Sequence, residues 1–331
     1  MTVPDTTVPA AGRHTEHRIE LTEQERVELA ALAERLARTP PALLDDEEFL
    51  QHARQLSCHL PVRLRAALRR YRHDPGGDGT LFVANLPVDE DALAPTPGTP
   101  DSVELEASVA SVLPVLLGLH LGEVVAYRDE KLGALVQNVV PVPGLERSQS
   151  NAGSVPLKFH VENAFHPHRP DYVGLMCLRN DHARQAGTLV SSIRRALPLL
   201  AEEDAKVLCD ARFVTAPPPS FRSGADTLPH AVLDGTLEDP NICVDFNATV
   251  ALDGEAAAAL DRLHAALEEV ATSLVLQSGQ MTFLDNRIAL HGRSSFRPRY
   301  DGRDRWLHRV YVHLDNRRNR ASRLGNGSVL A

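Results

Sequence analysis

Up to about residue 122 the apolar positions of this chain recur mostly at helical spacing, and from Glu123 onward they come as short β-rich runs. In the first part, Thr22-Glu23-Gln24-Glu25 has the form of a capping box opening a helix whose stripe is Leu29, Leu32 and Leu36. Pro61 suits the start of a second helix with Leu64 and Leu68 facing inward. Thr80 to Asn85 reads as a strand, and the acidic, proline-rich Pro87 to Pro100 as a loop. Val103 to Leu119 reads as a long helix that Pro114 should kink or end halfway. Residues 1–18 are polar, Pro/Thr-rich and without period, and are expected to be disordered.

In the second part, strands are predicted at Val124 to Tyr127, Ala134 to Val140, Leu157 to Val161, Tyr172 to Leu178, Thr188 to Ser191, Met281 to Leu284 and Trp306 to Leu314. Helical stretches near Ile193-Leu199 and Glu255-Ala271 interrupt them, and Gln277 to Gln280 reads as a turn. Many short strands with inserted helices predict an α+β, mainly β fold. The architecture that fits is a double-stranded β-helix, a cupin-like jelly-roll, with flanking helices. The expected organisation is a single domain over 19–318 with N-terminal helices, followed by a mobile Arg-rich tail over 319–331. There is no internal repeat.

Composition narrows the classes. A chain of 331 residues at 43% hydrophobic can bury a sizeable core. A net charge of -9 gives no basic face for nucleic acid. No apolar run approaches bilayer length and the N-terminus lacks the order of a signal peptide, so no membrane partner and a cytoplasmic location are expected. Cys58, Cys177, Cys209 and Cys243 form no C-x-x-C and are expected as reduced thiols.

The candidate chemistry starts at His160-Val161-Glu162, where positions i and i+2 of an extended strand share a face and present a nitrogen and an oxygen to one ion. His291 is a third candidate ligand, with Arg305 fourteen residues after it. Two imidazoles and one carboxylate with open positions suit a non-haem Fe(II) that binds a chelating co-substrate and dioxygen. A lone His-x-Glu is common by chance, and for an isolated histidine a hydrogen-bonded core or surface role is the commoner one. His166 and His168 repeat the spacing but flank Pro167, and are expected outside the metal set.

Longer motifs add weight: Gly133-Ala134-Leu135-Val136-Gln137-Asn138-Val139-Val140-Pro141, Asn151-Ala152-Gly153-Ser154, His160-Val161-Glu162-Asn163-Ala164-Phe165, Asp285-Asn286-Arg287-Ile288-Ala289-Leu290-His291-Gly292-Arg293, and the run to Arg309. With these, residues of about 80 to 318 resemble the clavaminate-synthase-like branch of the Fe(II)/2-oxoglutarate-dependent oxygenases. The closer resemblance is to bacterial hydroxylases of free asparagine, arginine, lysine or citrulline. It implies His160, Glu162 and His291 as iron ligands, and Arg305 with Thr188 as holders of the distal carboxylate of 2-oxoglutarate. Related halogenases carry a small residue where Glu162 stands, so the carboxylate implies hydroxylation, or less often desaturation.

By the same resemblance Arg309 grips the substrate α-carboxylate, while Glu130, Gln137 and Asn151 hold its amino group and backbone polar atoms. Glu130 is expected on a lid loop. Asp245 faces the substrate side chain, with Asn247 either inward beside it or outward. One acid and one amide leave arginine, citrulline, lysine and asparagine open, with arginine the first expectation. The implied reaction is hydroxylation of a free L-amino acid at C3, or C4, coupled to decarboxylation of 2-oxoglutarate to succinate with O2 as co-substrate. Such enzymes commonly serve antibiotic biosynthesis, as monomers or homodimers. Two other classes compete. A non-catalytic jelly-roll binding protein is disfavoured by the complete ligand set, and a metal-independent hydrolase by the lack of a G-x-S-x-G elbow.

Overall fold

The computed structural model describes residues 16–218, 221 and 227–331. In chain order the strands are β1 (His17–Glu20), β2 (Thr80–Ala84), β3 (Val103–Glu104), β4 (Glu123–Tyr127), β5 (Val136–Val139), β6 (Leu157–His160), β7 (Tyr172–Arg179), β8 (Thr188–Ser192) and β9 (Phe213–Thr215). They continue as β10 (Leu233–Thr236), β11 (Asp239–Ile242), β12 (Thr249–Ala251), β13 (Thr272–Leu274), β14 (Gln280–Asp285), β15 (Ala289–Arg293), β16 (Trp306–His313) and β17 (Val329–Leu330). The helices are α1 (Glu23–Ala37), α2 (Glu47–Ser57), α3 (Val62–His73), α4 (Val109–Leu121), α5 (Ile193–Ala196), α6 (Glu202–Leu208) and α7 (Gly254–Glu269).

Two sheets make the core. The major sheet runs β1-β2-β14-β7-β16-β4-β17, with β5 pairing the first half of β16 and β3 beyond it. The minor sheet runs β13-β8-β15-β6. This is the mainly β, double-stranded β-helix architecture with flanking helices. The major sheet is buried on both faces, and strand alternation divides its side chains. Val310 and Val312 of β16 join the cluster under α1–α4, whereas Leu307 and Tyr311 join the one shared with Val190 and Ala289 of the minor sheet. A third apolar cluster lies around α5–α7 and β10–β11.

The helices follow local chemistry. Thr22 and Glu25 close the capping box of α1. Asp46 caps α2, a helix that the sequence reading passed over. The helix expected over Val103 to Leu119 is corrected: residues 103–104 are strand, and Ser108 caps a helix that begins at Val109. Pro114 lies within that continuous helix. The ring nitrogen Nδ1 of His308 faces, at 3.4 Å, the Ala110 carbonyl that a proline four residues later cannot bond.

The ends also differ from expectation. Most of 1–18 lies outside the described residues, but β1 begins at His17 and pairs in parallel with β2. Residues 319–331, expected as a mobile tail, instead dock. β17 pairs in parallel with β4, and Leu330 is fully buried. Arg323, only 4% exposed, gathers the carbonyls of Asn316, Asn326 and Gly327 and so folds the segment onto itself. Among the described residues, no helix is long and apolar enough to cross a membrane. All four cysteines are free.

Candidate active site

The three candidate ligands converge between the sheets. His160 ends β6, and His291 sits opposite it on β15 with ring centroids 4.3 Å apart. The strand stops at His160, so Glu162 stands on the turn that follows rather than on an extended strand. Donor atoms of the three side chains all lie within 4.8 Å of one another. His160 Nδ1 is 2.9 Å from the Lys158 carbonyl, which fixes that nitrogen as the donor and leaves Nε2 its lone pair. Glu162 Oε2 is buried without a hydrogen-bond partner and faces His291 Nε2 at 3.4 Å. An orphaned carboxylate oxygen between two imidazoles fits a divalent cation of the facial-triad kind.

Two neighbours hold Glu162. Asn286, 1% exposed, accepts from the Glu162 backbone N–H at 2.7 Å and donates to the carbonyls of Glu162 and Pro170. Arg309 Nη1 donates to Glu162 Oε1 at 2.9 Å, leaving Oε2 for the ion. Burial works against the Glu162 charge, but Arg309 and His291 outweigh it and keep the carboxyl well below its usual range. Burial, then His160, lowers the pKa of His291, which favours the neutral imidazole that a metal needs.

Arg309 is the hub of a second group. Its Nε donates to Gln137 Oε1 at 3.0 Å and its Nη2 to Glu130 Oε1 at 2.6 Å. Glu130 also accepts from Tyr311 Oη at 2.9 Å and Asn163 Nδ2 at 3.2 Å. Gln137 therefore orients the arginine, and its own Nε2 is buried without a partner. Glu130 precedes a left-handed turn, Lys131, Leu132 and Gly133 having φ of 47°, 60° and 73°. Only the glycine adopts that backbone freely.

The other end of the site is cationic. Arg305 and Arg293, both buried, lie over the Phe296 ring at 5.8 and 5.7 Å, and Thr188 is the cross-strand partner of Arg293. Burial, then Arg305, pushes Arg293 down to about 9. Neither guanidinium has a carboxylate within ion-pair distance among the described residues. Arg293 donates to the loop carbonyls of Ser150 and Val155, which leaves Arg305 to suit an incoming carboxylate.

One cavity of about 540 Å3 joins these groups. It is lined by the three ligands, Arg305, Thr188, Arg309, Glu130, Asn151, Asp245 and Asn247, but not by Gln137, which stands behind Arg309. Asp245 pairs with His160 across an isolated bridge, while Asn247 is exposed at the rim and donates its backbone N–H to Asp245 Oδ1 at 2.7 Å. His166 and His168 stay outside the ligand set. Their turn is tied by His168 N–H to His166 Nδ1 at 3.0 Å, and burial, then His168, pushes His166 down to about 4. Sequence reasoning assigned no role to Asn286, Arg293, Tyr311 or Asn163. Of these, only Arg293 carried a local signal, as a charged residue two positions after His291 on the same strand face.

The profile of the "Taurine catabolism dioxygenase TauD, TfdA family" matches residues 127–311. An L-asparagine oxygenase of Streptomyces coelicolor is 43% identical over 97% of this chain and 97% of its own length. Clavaminate synthase 2 of Streptomyces clavuligerus is 37% identical over 88% and 90%. Among solved structures, asparagine oxygenase in complex with Fe(II), 2S,3S-3-hydroxyasparagine and succinate superimposes with a TM-score of 0.93 at 43% identity, covering 95% of this chain and 99% of that one. A mutant of the non-heme iron oxygenase OrfP, in complex with (3S)-hydroxy-L-Arg, reaches 0.87 at 30% identity over 95% and 99%. With its ligand triad, its cationic carboxylate end and these relatives, the chain belongs to the TauD/clavaminate-synthase-like family of Fe(II)/2-oxoglutarate-dependent amino-acid hydroxylases.

Proposed function

We propose that this enzyme hydroxylates free L-asparagine at C3. The sequence reading put arginine first; the position of Asp245 and the asparagine oxygenase relatives favour asparagine. The carrying observation is that Asp245 adjoins the metal strand directly. Val161 N–H donates to the Val244 carbonyl at 2.9 Å and Phe246 N–H to the Phe159 carbonyl at 3.1 Å, so the backbone that carries the side-chain anchor runs beside that of His160, about one strand spacing, ~4.8 Å, away. That leaves little room for a long side chain between the reacting carbon and the anchor. A carboxylate there accepts from a terminal amide NH2.

The remaining roles follow. His160, Glu162 and His291 hold the iron, which with 2-oxoglutarate and O2 supplies the oxidising chemistry and yields succinate. Arg305 and Thr188 take the distal carboxylate of 2-oxoglutarate. Arg309 takes the substrate α-carboxylate and Glu130 the α-ammonium, while Gln137 fixes the arginine plane. Asn151 meets the substrate from the opposite loop. Held at both ends, asparagine presents C3 toward the metal.

A succinate-release assay with Fe(II), 2-oxoglutarate and ascorbate across free L-amino acids tests this. Asparagine should stimulate release and gain one oxygen atom by mass spectrometry. Stimulation by arginine, citrulline or lysine instead would overturn the substrate but keep the chemistry. Asp245→Ala should raise the asparagine KM by about 10-fold or more, since a hydrogen bond to a charged group is lost.

A further inference from the structure

We infer that Arg293 is a positioning residue that couples occupancy of the co-substrate carboxylate end to the conformation of the 148–155 loop, and through it to Asn151. The inference deepens the proposed function and rests on it for the role of Asn151.

Arg293 stands two residues after His291 on β15 and opposite Thr188 on β8, so its side chain reaches the same end of the cavity as Arg305. Its hydrogen bonds, however, go to the loop. Nη1 donates to the Ser150 carbonyl at 3.1 Å and Nη2 to the Val155 carbonyl at 3.0 Å. Asn151 lies between these two anchors. The loop is built to sit on the guanidinium. A side-chain carbon at Gly153 would come within 3.3 Å of Arg293 Nη2 and within 2.0 Å of the Ser148 carbonyl. Nε of Arg293 is buried without a partner.

Two guanidinium groups over one ring, without a carboxylate between them, repel each other. A distal carboxylate arriving at Arg305 and Thr188 supplies the missing negative charge. It thereby holds Arg293 in one place, and the two loop carbonyls with it. The amino-acid pocket is then completed only after the co-substrate has bound. Arg293 acts through the loop and not on the reacting atoms.

Hydrogen-exchange mass spectrometry on the Fe(II)-loaded full chain, kept anaerobic, reads this directly. Adding 2-oxoglutarate should slow exchange across 146–156 by about 10-fold in the wild type. Arg293→Met should still bind 2-oxoglutarate, seen calorimetrically, within about 10-fold of wild type, yet its loop exchange should not respond. Its amino-acid KM should rise about 10-fold with kcat changed less than about 3-fold. Arg293→Lys keeps the charge but cannot span two carbonyls, and should lose the loop response as well; it serves if the methionine variant fails to fold. The inference is overturned if the wild-type loop ignores 2-oxoglutarate, or if both variants respond as the wild type does. It is equally overturned if Arg293→Met loses co-substrate affinity as fully as an Arg305 variant. Should asparagine not be the substrate, the KM measurement fails in the wild type too, while the exchange measurement stands.

Discussion

Asn286 decides where Glu162 stands. The metal carboxylate is carried by a turn, and a turn has no ladder of its own to fix it; three hydrogen bonds from one buried amide do that instead. Asn286→Ala should therefore weaken Fe(II) binding by about 10–100-fold, as loss of an outer-shell partner typically does, which an anaerobic titration would measure. Unchanged affinity would show that Arg309 alone fixes the carboxylate. Residues of this kind are the least legible in a sequence. His160, Glu162, His291 and Arg305 announce themselves by type and spacing. Asn286 acts through backbone atoms of a residue 124 positions away, and only the fold creates that proximity.

At the scale of elements, legibility followed hydrogen-bond range. The strands of the sheet centre, β7, β14 and β16, were readable because long apolar runs buried on both faces leave little choice. Short edge strands such as β1 and β17 were not, since their pairing depends on a distant neighbour and carries little local pattern. The docked tail is the clearest case. Its arginines suggested a solvated end, yet Arg323 serves backbone carbonyls and Leu330 fills the space beside β4. The Ser328 and Leu330 carbonyls also accept the amides of Ala126 and Arg128, and β4 leads on to Glu130. Removing residues 324–331 should lower the melting temperature by several degrees, roughly what 1–2 kcal/mol gives in a domain of this size. It should also raise the amino-acid KM while leaving 2-oxoglutarate binding unchanged. Thermal melts and steady-state kinetics check both; wild-type values for the two would restore the mobile tail.

For the whole molecule, the helical layer and the two sheets enclose a heavily charged site, and acid should find a weak point behind it. His313, 2% exposed, lies 3.2 Å from the His168 carbonyl and within reach of Asn319 and Tyr127. Burial pushes it down to about 4. In the unfolded chain it takes up its proton near 6.5, so the unfolded state binds more protons between those values and stability falls as pH drops from about 6.5 to 4, then levels for this group. The loss is about 3 kcal/mol for such a shift. Denaturant melts at pH 7 and pH 4 should show it, and His313→Gln should flatten the difference; an equal slope in that variant would remove His313 as the cause. One further consequence belongs to β16. Arg305, just before it, and Arg309 within it are four residues apart, about 13 Å of extended chain. On the roles proposed for these arginines, a single strand would act as a ruler between the distal carboxylate of 2-oxoglutarate and the α-carboxylate of the amino acid. Inserting one residue between them would turn one arginine away from the cavity.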